Sequence, residues 1–177
     1  MSKQILLKNV RLSFPALFKK YEFQGVEQKY SATFLLPKSD VETKTKIDNL
    51  IKNLLTENKV KIGADKICIV DGDDKEYDGY AGNWSIKASN SKRPTVINRD
   101  KSPISEEDGV VYAGCYVNAI IEFWVQNNSF GKRVNANLLG VQFLKDGESF
   151  GSGDINVSDS FDVIADDTLP AGEDLAF

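Results

Sequence analysis

From Cys115 to Val125 every second residue is apolar: Cys115, Val117, Ala119, Ile121, Phe123 and Val125. Unbroken alternation of that length puts one face of an extended strand into a core and commits the chain to β-structure. The pattern resumes at Val134, Ala136 and Leu138 after "NNSFG" (127–131), so the two segments read as a hairpin. Past Gly140 the apolar positions shift to Val141 and Phe143. A one-residue slip beside a glycine predicts a β-bulge. Shorter alternations run through Val10, Leu12 and Phe14, through Tyr30, Ala32, Phe34 and Leu36, and through Trp84, Ile86 and Ala88, and Lys66–Val70 adds a short apolar strand. A helix is predicted over 40–58, where Ile47, Leu50, Ile51, Leu54 and Leu55 share one face. Ser39 followed by Glu42 reads as its capping box.

Many short strands with one inserted helix and a bulged, bent strand predict a mainly β fold, an OB-fold-like Greek-key barrel, with an α+β sandwich as the alternative. Residues 1–150 form the predicted body. "GESFGSGD" (147–154) marks a composition shift, and 151–177 read as a flexible acidic tail ending in Phe177. Residues 146–177 hold nine acids and no base, so the first 145 hold all 22 bases against 17 acids, a net of +5. A mildly basic body joined to an acidic tail points to nucleic-acid contact or to a charged interaction tail.

Composition narrows the chemistry. The chain has no histidine, which removes the commonest general base and the commonest metal ligand. Cys68 and Cys115 lie in apolar runs and read as buried thiols of a reducing compartment. No apolar run approaches the roughly 20 residues of a membrane helix. The expectation is a cytoplasmic, non-catalytic protein that needs neither cofactor nor metal and does not bind membranes.

Three stretches could carry binding. Opposite the apolar row, Tyr116 and Trp124 lie on the other face of their strand, with Lys132, Arg133, Asn135 and Asn137 on the hairpin partner. Rings beside Arg and Asn suit base stacking and phosphate contact. If the helix covers that face, the two rings are core instead. "SIKASNSKRPTVINRDK" (85–101) reads as a basic loop carrying Lys87, Lys92, Arg93 and Arg99 among short hydrogen-bonding side chains. "FPALFKKYEF" (14–23) mixes rings with lysines, although Phe14 and Phe18 also fit as core anchors. The acids from Asp71 to Asp78 crowd one glycine-rich loop and fail the spacing of a calcium loop. A solvated loop is the simpler reading, and a metal-dependent nuclease is the alternative it leaves open.

"YAGCYVNAIIEFWVQNNSFGKRVNANLLGVQFLKDGESFGSG" (112–153), with "EYDGYAGNWSIKASNSKRPTV" (76–96) and "LKNVRLSFPALF" (7–18), resembles a family of phage-encoded single-stranded-DNA-binding proteins of the OB-fold replication and recombination type. The resemblance implies sequence-tolerant binding of single-stranded DNA. It also implies a tail that competes with DNA and recruits replication or recombination proteins, and it leaves a homodimer open. Asp166, Asp167, Glu173, Asp174 and Phe177 match the acidic, Phe-ended tails of such proteins, although this chain ends Leu-Ala-Phe and keeps Pro170 further back. Acids can mimic a phosphate backbone in a basic groove. A terminal ring adds what a solubility tail would not need, an anchor for an apolar slot with a basic rim. A phage structural or adaptor protein that does not bind DNA is the remaining reading.

Overall fold

The computed structural model describes residues 3–20, 22–77 and 79–150. The tail residues Asp166, Asp167, Glu173, Asp174 and Phe177 lie outside them, as does Asp78. The main strands are β1 (Gln4–Ala16), β4 (Tyr30–Pro37), β6 (Asn83–Asn90), β8 (Tyr116–Asn128) and β9 (Gly131–Lys145). A small hairpin, β2 (Glu22–Phe23) with β3 (Val26–Glu27), sits between the first two. Short strands β5 (Ile69–Asp71) and β7 (Thr95–Ile97) extend β6 and β9.

Antiparallel pairing runs β6-β4-β1-β8-β9, and a parallel pairing of Ser89 with Asn137 returns β9 to β6. The five long strands therefore close into a ring, the Greek-key barrel of the OB-fold. Where β6 and β9 diverge, Cys68 bridges them: its N–H donates to Val134 O (3.0 Å) and its carbonyl accepts from Lys87 N–H (3.1 Å).

The alternating row of β8 fills the interior as expected, with Cys115, Val117, Ala119, Ile121 and Phe123 all buried. The bulge is present too. Ile120 faces Gly140 and Ile121 faces Leu138, so Leu139 is the extra residue.

The helix α1 (Val41–Glu57) buries Ile47, Ile51 and Leu54 in the same core as Ile121 and Phe123. It thus packs on the inner row and leaves the outward face of β8 uncovered. Its cap is Asp40 rather than Ser39. Thr43 N–H donates to Asp40 Oδ1 (3.1 Å) and Thr43 Oγ1 to Asp40 Oδ2 (2.8 Å). A turn from Pro37 fixes this start, because Asp40 N–H donates to Pro37 O, and a carboxylate there also meets the positive helix end.

β1 pairs with β8 through its first half and with β4 through its second, with register breaks at Leu7/Val10 and Ser13/Ala16. Asn9 (φ +54°) and Phe14 (φ +47°) take left-handed backbone at these breaks. The second bend ends the Val10–Leu12–Phe14 alternation, and the Phe14 side chain turns outward.

The two neighbours Ile120 and Ile121 test this register. Ile121 is fully buried, whereas Ile120 is 40% exposed. Ile121→Ala is expected to cost about 2–5 kcal/mol in urea unfolding, and Ile120→Ala roughly 0.5 kcal/mol or less.

Candidate nucleic-acid interface

The register of β4 against β6 pairs Ser31 with Ser89, Thr33 with Lys87 and Leu35 with Ser85. Their neighbours Ala32, Phe34, Leu36, Ile86 and Ala88 fill the core, so these six side chains line the outer seam. β1 adds Ser13 opposite Thr33, giving a row Ser13–Thr33–Lys87 across three strands, about 10 Å wide.

A loop, 72–82, covers one half of this seam. Tyr80 is buried against it and its hydroxyl donates to Ser13 Oγ (2.9 Å). Burial raises the phenol pKa, so Tyr80 remains a neutral donor. The loop is clasped at its base, where Lys38 Nζ lies 2.6 Å from both Asp71 Oδ1 and Asp73 Oδ2. Asp73 Oδ1 also accepts from Gly82 N–H (2.8 Å), and Asp71 Oδ1 from Asp73 N–H (2.9 Å). Hydrogen bonds from Lys38 lower both carboxyl pKa values, and the same bonds raise that of Lys38. The acidic loop is thus a structural clasp. Among the described residues, no group of three acids or cysteines is placed to hold a metal ion.

The other half of the seam is open. Lys87 is exposed there, between half-buried Ser31 and Ser89. The expected basic loop is strand over 85–90 and 95–97, and the exposed turn between them holds Lys92 and Arg93. The Arg93 guanidinium lies 5.6 Å from the Phe18 ring, which joins this turn to the β1–β4 connection with its Lys19 and Lys20. Two rings that the sequence did not single out as stacking residues border the seam. Phe14 is 47% exposed and Tyr77 54% exposed. They pack edge to face with centroids 5.0 Å apart, and Tyr77 leans on Tyr80 at 5.2 Å. Phe14 adjoins Ser13, so this pair stands beside the Ser13–Thr33–Lys87 row.

The remaining candidates lie elsewhere. In a five-membered ring β8 stands across from the β4–β6 seam. Trp124 and Arg133 project outward on that side, and Lys132 lies on the opposite face of the hairpin. Arg99 sits beyond β7, its guanidinium 5.7 Å from the Phe143 ring. The Tyr116 ring, read from the sequence as a stacking surface, is occupied within the molecule. Arg11 lies 5.6 Å and Lys145 5.0 Å from its centroid, and Gly147 packs so close that a Cβ there would come 2.8 Å from Tyr116 Cε2. That contact belongs to a strap, 146–150, laid over β1. The Tyr112 hydroxyl lies 2.9 Å from both Asp146 Oδ1 and Gly147 O and accepts from Gly147 N–H, Arg11 donates to Glu148 O (2.5 Å), and the Phe150 ring packs on Gly79 under the Arg11 guanidinium (4.2 Å).

A groove of about 1190 Å³ between α1 and residues 59–75 has a floor of Leu55, Val60, Ile62 and Ile69. Its rim mixes lysines with Asp48, Asp65 and Asp74, so it lacks the one-signed field a phosphate backbone requires. Burial raises both thiol pKa values, that of Cys68 to about 12, so neither is poised as a nucleophile.

The clasp has a pH signature. Carboxyl groups with lowered pKa stabilise the folded loop above their unfolded values, and this support is lost as pH falls through the folded values. The raised lysine pKa gives support that is lost only at strongly alkaline pH. Hydrogen exchange of the loop amides, Gly82 above all, is expected to slow as pH rises through about 4 relative to its intrinsic rate. Lys38→Met is expected to weaken that dependence, leaving only the part carried by the Gly82 and Asp73 amides, and to speed exchange of the loop at neutral pH.

A family model described as "Enterobacter phage Enc34, ssDNA-binding protein" matches residues 3–170. Protein p50 of Acyrthosiphon pisum secondary endosymbiont phage 1 is 43% identical over 174 residues, covering 92% of this chain and 94% of p50. The solved single-stranded DNA-binding protein of bacteriophage Enc34 is 38% identical, with TM-score 0.78 and 90% of each chain covered. The same protein in complex with ssDNA matches with TM-score 0.77, 38% identity, and coverage of 84% of this chain and 90% of that one. The single-stranded DNA-binding protein gp2.5 of bacteriophage T7 shares the fold at 11% identity, with TM-score 0.56 and coverage of 87% and 97%.

Proposed function

We propose that this chain, which belongs to the family of the Enterobacter phage Enc34 single-stranded-DNA-binding protein, binds single-stranded DNA without sequence preference on the open half of the β4–β6 seam. The observation that carries this reading is the exposed Phe14–Tyr77 pair at the Ser13 end of the row that closes on exposed Lys87, with Lys92 and Arg93 in the turn after β6. Rings stack on any base, and separate cations follow the phosphates. Solved structures of a 38% identical relative, one of them with ssDNA, support it. Arg99, beyond β7, stands off this seam. Tyr116 braces the strap instead of stacking on bases. The work is binding, with no bond made or broken. The nuclease alternative loses its ground because Asp71 and Asp73 are both engaged by Lys38.

The tail fits the same scheme. The described chain reaches Phe150 against Gly79 of the covering loop, and seven acids follow it in the sequence. A coil of that length spans roughly 30 Å, enough to compete with DNA for the groove. Displaced by a strand, Asp166, Asp167, Glu173, Asp174 and Phe177 are free to recruit replication or recombination proteins of the phage or its host, in the host cytoplasm. If the chain forms a homodimer, Leu6 and Ile120 are the place to look, since they pair across β1 and β8 with both side chains exposed.

Fluorescence anisotropy of labelled oligo-dT against salt tests the reading. Lys87→Ala and Arg93→Ala are each expected to weaken binding and to reduce the salt slope by about one. Phe14→Ala with Tyr77→Ala should lose roughly 1–3 kcal/mol per stacked base at unchanged slope. A chain ending at Gly153 should bind more tightly than the full chain. Equal affinity for single- and double-stranded DNA at low salt would overturn the proposal.

A further inference from the structure

The β8–β9 hairpin outgrows the barrel. Pairing of β1 with β8 stops at Gln4 opposite Glu122, and the isolated bridge from β9 to Ile67 is at Val134. Between these points a two-stranded ribbon runs out from Trp124 and Asn135 to a tip at Ser129 and Phe130. The register pairs Trp124 with Asn135 and Gln126 with Arg133, so these four side chains share one face, and Lys132 lies on the other.

Three features set this ribbon apart from an ordinary surface hairpin. Phe130, at its tip, is 88% exposed, more than any other large apolar side chain among the described residues. No Asp or Glu occurs from Phe123 to Lys145, whereas Lys132 and Arg133 are exposed and, among the described residues, in no ion pair. The tip is also preorganised. Asn135 Nδ2 donates to Gln126 Oε1 (2.9 Å), Gln126 Nε2 to Asn128 Oδ1 (3.3 Å), and Phe130 N–H to the same Asn128 oxygen (2.9 Å). Gly131, at φ +124°, closes the turn. A ring carried in water on an ordered turn, a partly exposed indole about 15 Å down the ribbon and an arginine between them form a stacking track with no acid between its rings.

We propose that this ribbon is a second station for single-stranded nucleic acid, distinct from the seam. Phe130 and Trp124 stack on bases while Arg133 holds the phosphate between them, and Lys132 adds positive charge from the opposite face. The proposal rests on the single-strand-binding reading above. Because β8 stands across the ring from the β4–β6 seam, a short strand fills one station only, and a longer one wraps from the seam onto the ribbon.

The test uses the full chain and two labelled oligo-dT probes, one of about 8 nucleotides, within the range one barrel covers, and one of about 30. Phe130→Ala combined with Arg133→Ala is expected to weaken binding of the long probe roughly tenfold or more and to change the short one by less than about twofold. Phe130→Trp should retain long-probe affinity. Equal loss on both probes would place Phe130 on the same track as the seam and overturn a separate station. No loss on either would mean that the tip faces something other than nucleic acid, such as a protein, and would overturn the proposal as well. Failure of the unaltered chain to bind either probe would instead overturn the reading on which it rests.

Discussion

One strand has to turn two corners. For the ring to close, β1 must pair with β8 at one end and β4 at the other, and a regular strand cannot follow both. Asn9 and Phe14 absorb the turn in left-handed backbone, which costs on the order of 1–3 kcal/mol at each non-glycine residue. Barrel closure recovers that cost, since it buries the inner rows of all five strands in one core. The second corner also puts an aromatic ring into water beside the seam. The bend that closes the fold and the ring offered to a base are therefore one feature, and relaxing one removes the other.

The seam is divided by charge as well as by cover. Loop 72–82 brings a cluster of acids close to a surface proposed to hold phosphates, where free carboxylates would repel a strand. Lys38 takes up Asp71 and Asp73 together, and backbone amides of the loop add a bond to Asp71 Oδ1 and to Asp73 Oδ1. The clasp offsets charge at the base of the loop that carries Tyr77 and Tyr80, while Asp74 and Glu76 stay exposed on it. The strap from Asp146 to Phe150 does related work on the β1 side. It engages Arg11 and Tyr116 and seats the Phe150 ring on Gly79 of the covering loop.

Local periodicity carried the barrel. The inner row of β8, the hairpin turn, the bulge beside Gly140 and the buried face of α1 all follow from spacing, because each is set by which residues face a core. The site was harder. Lys87, Lys92 and Arg93 were legible as a basic run, but that Arg99 and Trp124 lie on other sides depends on ring order, which no local pattern encodes. Phe14 looked like a core residue because alternation assumes an unbent strand, and nothing in its neighbours marks a left-handed phenylalanine. Tyr77 sits among acids that read as a solvated loop, and a lone ring in such a loop carries no pattern. Tyr116 has the right face and the wrong neighbours, since the strap that occupies it is some thirty residues away in sequence.

The path of the strand is the central claim, and photo-crosslinking maps it most directly. Halogenated uracils placed along an oligonucleotide, irradiated with the full chain and followed by peptide mass spectrometry, report which side chains lie against bases. The account predicts adducts at Phe14 and Tyr77, lost in excess unlabelled oligo-dT. Adducts confined to the outward face of β8, with none on the seam, would contradict it.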